Sequence, residues 1–237
     1  MLSLFSCGKE NSNPEVPNSN KVKTYTEKYT SDGGSISFVF NLNYDSKGRI
    51  ISMVSANSPG DQFVYNYLSD NKLTMEIQSS QNGLIHEDIF LTNGSWVDST
   101  FQYNDTEDYT TEKYFYNSNN QLIKIRSNDY SGTGPSSGPA YTLLTYNSNG
   151  DVEKIENDDG STETFEYYTD LKGPLPVIMP YLSTPEQINL IKKHNIYYGS
   201  SLESTSDVTY TFDSKSRITS VIETYDTGEI ITKSFTY

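Results

Sequence analysis

Tyr44-Asp45-Ser46-Lys47-Gly48-Arg49-Ile50 places an aromatic residue, a polar turn and a β-branched residue in one short run. An Asp after the aromatic accepts hydrogen bonds from backbone N–H groups two residues on, which opens a turn. Gly48 tolerates the left-handed backbone that closes a short hairpin loop, and Ile50 then starts the return strand. The run is therefore a β-hairpin, and the same pattern recurs along the chain. It returns as Tyr67-Leu68-Ser69-Asp70-Asn71-Lys72-Leu73, Tyr116-Asn117-Ser118-Asn119-Asn120-Gln121-Leu122, Tyr146-Asn147-Ser148-Asn149-Gly150-Asp151-Val152 and Phe212-Asp213-Ser214-Lys215-Ser216-Arg217-Ile218. Leu91-Thr92-Asn93-Gly94-Ser95-Trp96 is a shorter, degenerate copy.

Up to Tyr146 the copies recur every ~23–30 residues, room for two strands and their turns. Phe38, Phe40, Leu42 and Tyr44 alternate with Val39, Asn41 and Asn43, and Val208, Tyr210 and Phe212 alternate with Thr209 and Thr211. Alternation of this kind marks strands with one buried face. After the turns, apolar residues fall three apart, as in Leu122 and Ile125 or Ile218 and Val221. That spacing leaves two readings open, a β-bulge or a strand part-buried on both faces. The pattern predicts an all-β chain, either a large curled antiparallel sheet or an open or closed barrel of Tyr-anchored hairpins.

Composition fits that class. Only 34% of residues are hydrophobic, yet 13% are aromatic, with 20 Tyr. Disordered chains lack such aromatics, whereas antiparallel sheets with one wet face give this balance. The net charge of −14 argues against nucleic acid, whose binding needs clustered Lys and Arg, and an acidic surface of this kind favours a soluble monomer. One cysteine excludes an intrachain disulfide.

That cysteine has a setting of its own. Met1-Leu2-Ser3-Leu4-Phe5-Ser6-Cys7-Gly8 resembles the end of a bacterial lipobox, with Leu4 three before the cysteine. The resemblance implies acylation of Cys7 and removal of residues 1–6 as a residual signal peptide. The charged start and longer apolar stretch of a full signal do not fit ahead of Cys7. Residues 7–21 then form the lipidated cysteine and a Pro-, Asn- and Ser-rich tether. Residues 22–237 form a single domain of repeated hairpins.

Tyr44 to Ile50 also resembles the YD repeat of RHS-type wall and toxin-shell proteins, and Phe212 to Ile218 matches it with Ser216 in place of Gly. From about residue 22 onward the chain resembles a family of lipobox-bearing proteins of Bacteroidota-type bacteria. That resemblance implies an antiparallel, porin-like β fold and a place in the cell envelope. Its motifs are turns, so it implies no activity.

The repeats pause over residues 172–205. Three prolines in Lys172-Gly173-Pro174-Leu175-Pro176-Val177-Ile178-Met179-Pro180 exclude a central strand. A short helix is predicted over 184–194: Thr184 caps it, Pro185 suits its first turn, Gln187 completes a capping box, Ile188 and Ile191 share a face, and Lys192, Lys193 and His194 sit at its negative end. The strip and helix are expected to cover one end of the sheet.

Residues that carry chemistry are sparse. Gly134-Pro135-Ser136-Ser137-Gly138 matches the spacing of a hydrolase nucleophile elbow but lies in a loop without the following helix the elbow requires. His86 and His194 are isolated, so no zinc set is expected. The oxygen-rich stretches at residues 157–163 and 104–108 read as turns rather than Ca²⁺ loops. No catalytic residue, metal or cofactor is assigned, and the chain is not expected to be an enzyme. Trp96 is the one aromatic singled out for ligand contact.

The leading expectation is a monomeric, lipid-anchored protein of the outer membrane or cell surface, otherwise periplasmic. It has a structural role or binds a glycan or protein partner, and it touches the membrane through its lipid. An integral outer-membrane barrel is the alternative, suggested by Phe235 and terminal Tyr237. Against it, Thr24, Thr26 and Lys28 on one face and Lys23, Tyr25 and Glu27 on the other leave no apolar band. A glycoside hydrolase with paired carboxylates is the third reading.

Overall fold

The computed structural model describes residues 21–79, 83–92, 96–104, 108–131, 134–135, 138–173, 175–176 and 188–237. Cys7, Ser136 and most of the Pro-rich strip lie outside the described residues, as does the start of the expected helix. The first strands are β1 (Thr24–Ser31), β2 (Gly34–Tyr44), β3 (Ile50–Ser55), β4 (Gln62–Ser69), β5 (Lys72–Ser79), β6 (Gly83–Thr92), β7 (Trp96–Asn104), β8 (Tyr109–Tyr116) and β9 (Leu122–Ser131). They continue as β10 (Gly134–Pro135), β11 (Ala140–Tyr146), β12 (Val152–Asn157), β13 (Ser161–Lys172), β14 (Asn189–Tyr198), β15 (Ser201–Phe212), β16 (Ile218–Tyr225) and β17 (Ile230–Thr236).

Apart from β10, each strand pairs antiparallel with the next, and β1 pairs with both β2 and β17. The wall therefore closes. β10 is a two-residue flap paired to Tyr130 and Ser131 at the end of β9, and β9 continues directly to β11, which leaves sixteen strands in the barrel. Closure removes the unpaired edges that make open sheets prone to aggregation.

The turns at one end follow a common hydrogen-bond scheme. Asp45 Oδ1 accepts from the N–H groups of Lys47 and Arg49, and Asp213 Oδ1 from those of Lys215 and Arg217. Asn117 and Asn147 do the same for residues two and four places on. The residue closing each loop has a left-handed backbone: Gly48 at φ 82°, Asn120 at 60°, Gly150 at 89° and Ser216 at 60°. The segment at Tyr67 departs from this scheme. There β4 runs on to Ser69 and β5 begins at Lys72, so its turn is only Asp70-Asn71.

The apolar spacing of three has a single cause in β3, β7, β9, β12 and β16. Each carries an extra residue directly after the turn: Ile51, Asp98, Ile123, Glu153 and Thr219. A bulge turns the chain so that residues three apart face the same way. Ile50 and Met53, Leu122 and Ile125, Val152 and Ile155, and Ile218 and Val221 thereby all pack in one core cluster. Bulging, not burial on two faces, is the answer to the question the spacing raises.

The same effect corrects the predicted helix. Residues 189–198 are strand β14, hydrogen-bonded to β13 on one side and β15 on the other. Lys192 is the extra residue in its ladder with β13, so Ile191 and His194 reproduce the bulge spacing that mimics one face of a helix. A helix here would leave the polar backbone of both neighbouring strands unpaired. Asp151, only 1% exposed, secures the strand's entry by accepting the N–H groups of Ile188 and Asn189 and the Asn189 amide.

Candidate functional site

The barrel has an inner and an outer lining, and burial identifies them. Register places Tyr25, Leu42, Met53, Tyr65, Met75, Ile89, Tyr114, Leu144, Val208 and Phe235 on one face of the wall, and all are buried. Their neighbours along the strands, such as Asn41, Asn43, Lys113, Asp207 and Thr209, are exposed. The inner face is thus apolar and aromatic, while outside run pairs such as Lys72–Asp88 at 3.0 Å and Lys193–Asp207 at 3.5 Å.

At the turn end, Val22, Ile50, Leu73, Val97, Leu122, Val152, Leu190 and Ile218 stand at or just before the starts of alternate strands, each 5% exposed or less. Tyrosines lock this girdle. The hydroxyls of Tyr44, Tyr67, Tyr116, Tyr146, Tyr167 and Tyr237 donate to the carbonyls of Val22, Ile50, Val97, Leu122, Val152 and Ile218 at 2.6–2.9 Å. Burial pushes the Tyr44, Tyr116 and Tyr146 hydroxyls up to about 12, which keeps them protonated donors. Arg49 and Arg217 lie over the rings of Tyr67 and Tyr237, 3.8 and 4.1 Å from the centroids.

Farther from the girdle, part-buried polar side chains join the apolar ones on the inner face. On β13 to β16, His194 Nε2 meets Glu163 at 2.9 Å, its Nδ1 meets Glu223 at 3.2 Å, and Phe165 stacks on the ring at 4.9 Å. Ser206 donates to Glu223 at 2.6 Å, and Tyr225 also bonds it. Burial alone would discharge the imidazole, but both carboxylates outweigh it and raise its pKa to about 9. Burial would likewise raise Glu223, yet hydrogen bonds from His194, Ser206 and Tyr225 hold it down at about 2. This cluster is internally satisfied.

A second carboxylate pair lies on β6 and β8. Thr100 on β7 bonds Glu87, while Tyr114 and Ser127 donate to Glu112 at 2.6 and 3.1 Å. Burial and the charge of Glu112 raise the Glu87 carboxyl to about 7, against the Thr100 bond. Among the described residues no Lys, Arg or His forms an ion pair with either glutamate.

At the far end, a cavity of about 560 Å³ opens against Tyr29, Ile36, Tyr225, Glu229 and Ile231. Tyr29 and Ile36 are 43% and 63% exposed there, with Phe38 edge-on to Tyr29. The cavity lies on one side of the rim opposite the girdle, the barrel's mouth, against the β1–β2 and β16–β17 hairpins.

The residues singled out from sequence fall elsewhere. Trp96 is half-buried at the girdle end, edge-on to Tyr116 at 5.7 Å, so it faces packing rather than the mouth. His86 points outward against Tyr103 and His194 inward, so the two histidines lie on opposite faces of the wall. Phe235, one of the two C-terminal aromatics, is buried inside against Tyr25. Among the described residues no group of three His, Cys, Asp or Glu side chains is placed to hold a metal. Sequence reasoning passed over Glu87, Glu112, Glu163 and Glu223. Their one signal was a Glu on the apolar register of a strand, as Glu223 stands two after Val221 and Glu87 two before Ile89.

No family model and no curated protein matches the sequence. Solved structures resemble the fold. A porin-like protein from Bacteroides uniformis ATCC 8492 superposes with a TM-score of 0.65 at 14% identity, over 92% of this chain and 97% of the other. A porin-like protein from Bacteroides vulgatus ATCC 8482 does so with a TM-score of 0.62 at 13% identity, over 92% and 98%. The fold is a porin-like antiparallel β-barrel.

Proposed function

We propose that the chain is a non-enzymatic binding barrel of the cell envelope, tethered by a lipid on Cys7, that receives a glycan or protein partner at its mouth. One observation carries this reading: the buried apolar cluster lines the inside of the barrel, and lysine ion pairs run along its outside. A membrane-spanning barrel requires the reverse, because Lys or Arg on the lipid face costs about 2–4 kcal/mol at mid-membrane. Here Lys72, Lys113, Lys154 and Lys193 take ion pairs on the outer face. The tether joins at Val22, on the girdle end, so a lipid there turns the mouth with Tyr29, Ile36 and Phe38 away from the bilayer. No catalytic step is assigned to the lumen carboxylates.

The integral outer-membrane barrel is the second reading, favoured by the porin-like superpositions and by the exposed outward side chains Phe115, Ile123 and Leu143 on one side of the wall. Washing membranes with carbonate separates the two. The wild-type protein should stay with the membrane and the Cys7→Ala protein should be released. Retention of the Cys7→Ala protein overturns the tethered reading in favour of the integral one.

A further inference from the structure

The geometry points to a binding site for a small organic ammonium ion inside the barrel, formed by Glu87, Glu112 and the hydroxyl of Tyr65. It rests on the reading of the barrel as a non-enzymatic binding protein, but it stands whether or not Cys7 carries a lipid.

The first observation is the pair of carboxylates without a counter-ion. Glu87 and Glu112 stand diagonally across β7, where Gln102 lies opposite Glu87 and Thr100 opposite Glu112, and both β7 residues are neutral. Elsewhere in the same lumen two glutamates also converge, and there the protein supplies His194 as the shared cation. Two carboxylates in a half-buried wall repel each other unless a positive charge or a proton lies between them.

The second observation is independent of the acids. Tyr65 is 2% exposed, and its hydroxyl has no hydrogen-bond partner. Buried hydroxyls are nearly always paired, so such a group points to a partner supplied from outside. Register sets Tyr65 opposite Met75 and Met75 opposite Glu87, all on the inner face, so the phenol and the carboxylate stand on one rung across β4, β5 and β6. Burial is the main cause that raises the Tyr65 hydroxyl pKa, and the nearby Tyr67 and Glu87 add to it.

An alkylammonium fits this set. Its three N–H donors match Glu87, the Tyr65 oxygen and Glu112, whereas a neutral polyol leaves the charges unpaired. Aromatic faces of Tyr65 and Tyr114 beside the carboxylates suit a cation carrying a short apolar tail. The part-exposed rung beyond, where Ile77 stands opposite Ile85, gives it a route in.

Titration of the folded protein at pH 8 with butylammonium, followed by chemical-shift changes of the Tyr and Glu side chains, tests the site. Tetramethylammonium and Ca²⁺ serve as parallel probes. Saturable binding of butylammonium is expected, weakened about tenfold or more in Glu87→Gln and in Glu112→Gln, and unchanged in the outward Glu156→Gln. Tyr65→Phe should weaken it less. Tetramethylammonium, which has no N–H to donate, should bind more weakly. Absence of saturable binding, equal binding by Glu87→Gln, or tighter binding of Ca²⁺ than of butylammonium overturns the proposal. None of these outcomes bears on the carbonate wash, so the site and the anchor fail separately.

Discussion

Two regions of the same lumen solve the burial of paired glutamates in different ways. On β13 to β16, Glu163 and Glu223 share His194, and Ser206 and Tyr225 also bond Glu223. On β6 to β8, Glu87 and Glu112 have only hydroxyl donors among the described residues, and the nearby Tyr65 hydroxyl has no partner among them. The first is a closed structural clasp, bought with a protein cation. The second keeps its charge open, and binding sites are built from groups of that kind.

The largest effect should come from breaking the clasp. His194→Leu leaves Glu163 and Glu223 facing one another without a cation, and removing one partner of a buried ion pair typically costs about 3 kcal/mol. Urea denaturation at pH 6 measures it. The wild-type clasp should also be pH-dependent. The pKa of His194 rises on folding from 6.5 to about 9, so its contribution is complete below about pH 6.5 and is lost as pH climbs through 9. That of Glu223 falls from 4.5 to about 2, so its contribution is present above about pH 4.5 and is lost as pH drops through 2. Stability from this cluster should therefore peak between about pH 4.5 and 6.5, and His194→Leu should flatten the profile.

The open pair should respond with the opposite sign. Folding raises the Glu87 carboxyl from 4.5 to about 7, so the folded state holds its proton longer than the unfolded state. The penalty is absent below about pH 4.5, develops as pH rises through 7 and stays constant above. Glu87→Gln removes it. The variant should match the wild type near pH 4 and be more stable by about 2 kcal/mol at pH 8, read as a shift in the urea midpoint. A variant less stable than wild type at pH 8 would mean that Glu87 belongs to a closed clasp as well.

The difference between these regions also marks how far the sequence can be read. The hairpin turns were legible because their chemistry is local: Asp45, Asn117, Asn147 and Asp213 each bond backbone within four residues. Alternation in β2 and β15 likewise gave the inner face. Closure of the barrel was not legible, because the pairing of Tyr25 with Phe235 joins the two ends of the chain. β14 was misread for a related reason. A bulged strand and a helix both bring residues three apart onto one face, and only the ladders to β13 and β15 decide between them. The lumen clusters stayed hidden because Glu163, His194 and Glu223 meet only through strand register.

The smallest effects separate the two kinds of tyrosine, and with them the closed from the open parts of the lumen. Tyr116 donates to the Val97 carbonyl at 2.7 Å, so Tyr116→Phe removes one hydrogen bond and leaves a buried acceptor short of a donor. A loss of about 1 kcal/mol is expected. Tyr65→Phe deletes a hydroxyl that bonds nothing, and relieves the desolvation of an unpaired polar atom while keeping the ring's packing. Its stability should equal or slightly exceed that of the wild type in the ligand-free protein. Denaturation of both variants without and with butylammonium sharpens the contrast further. The added ion should raise wild type more than Tyr65→Phe, because of the two hydroxyls only that of Tyr65 contributes to binding. It should raise Tyr116→Phe and wild type equally, since the girdle takes no part in holding the ion.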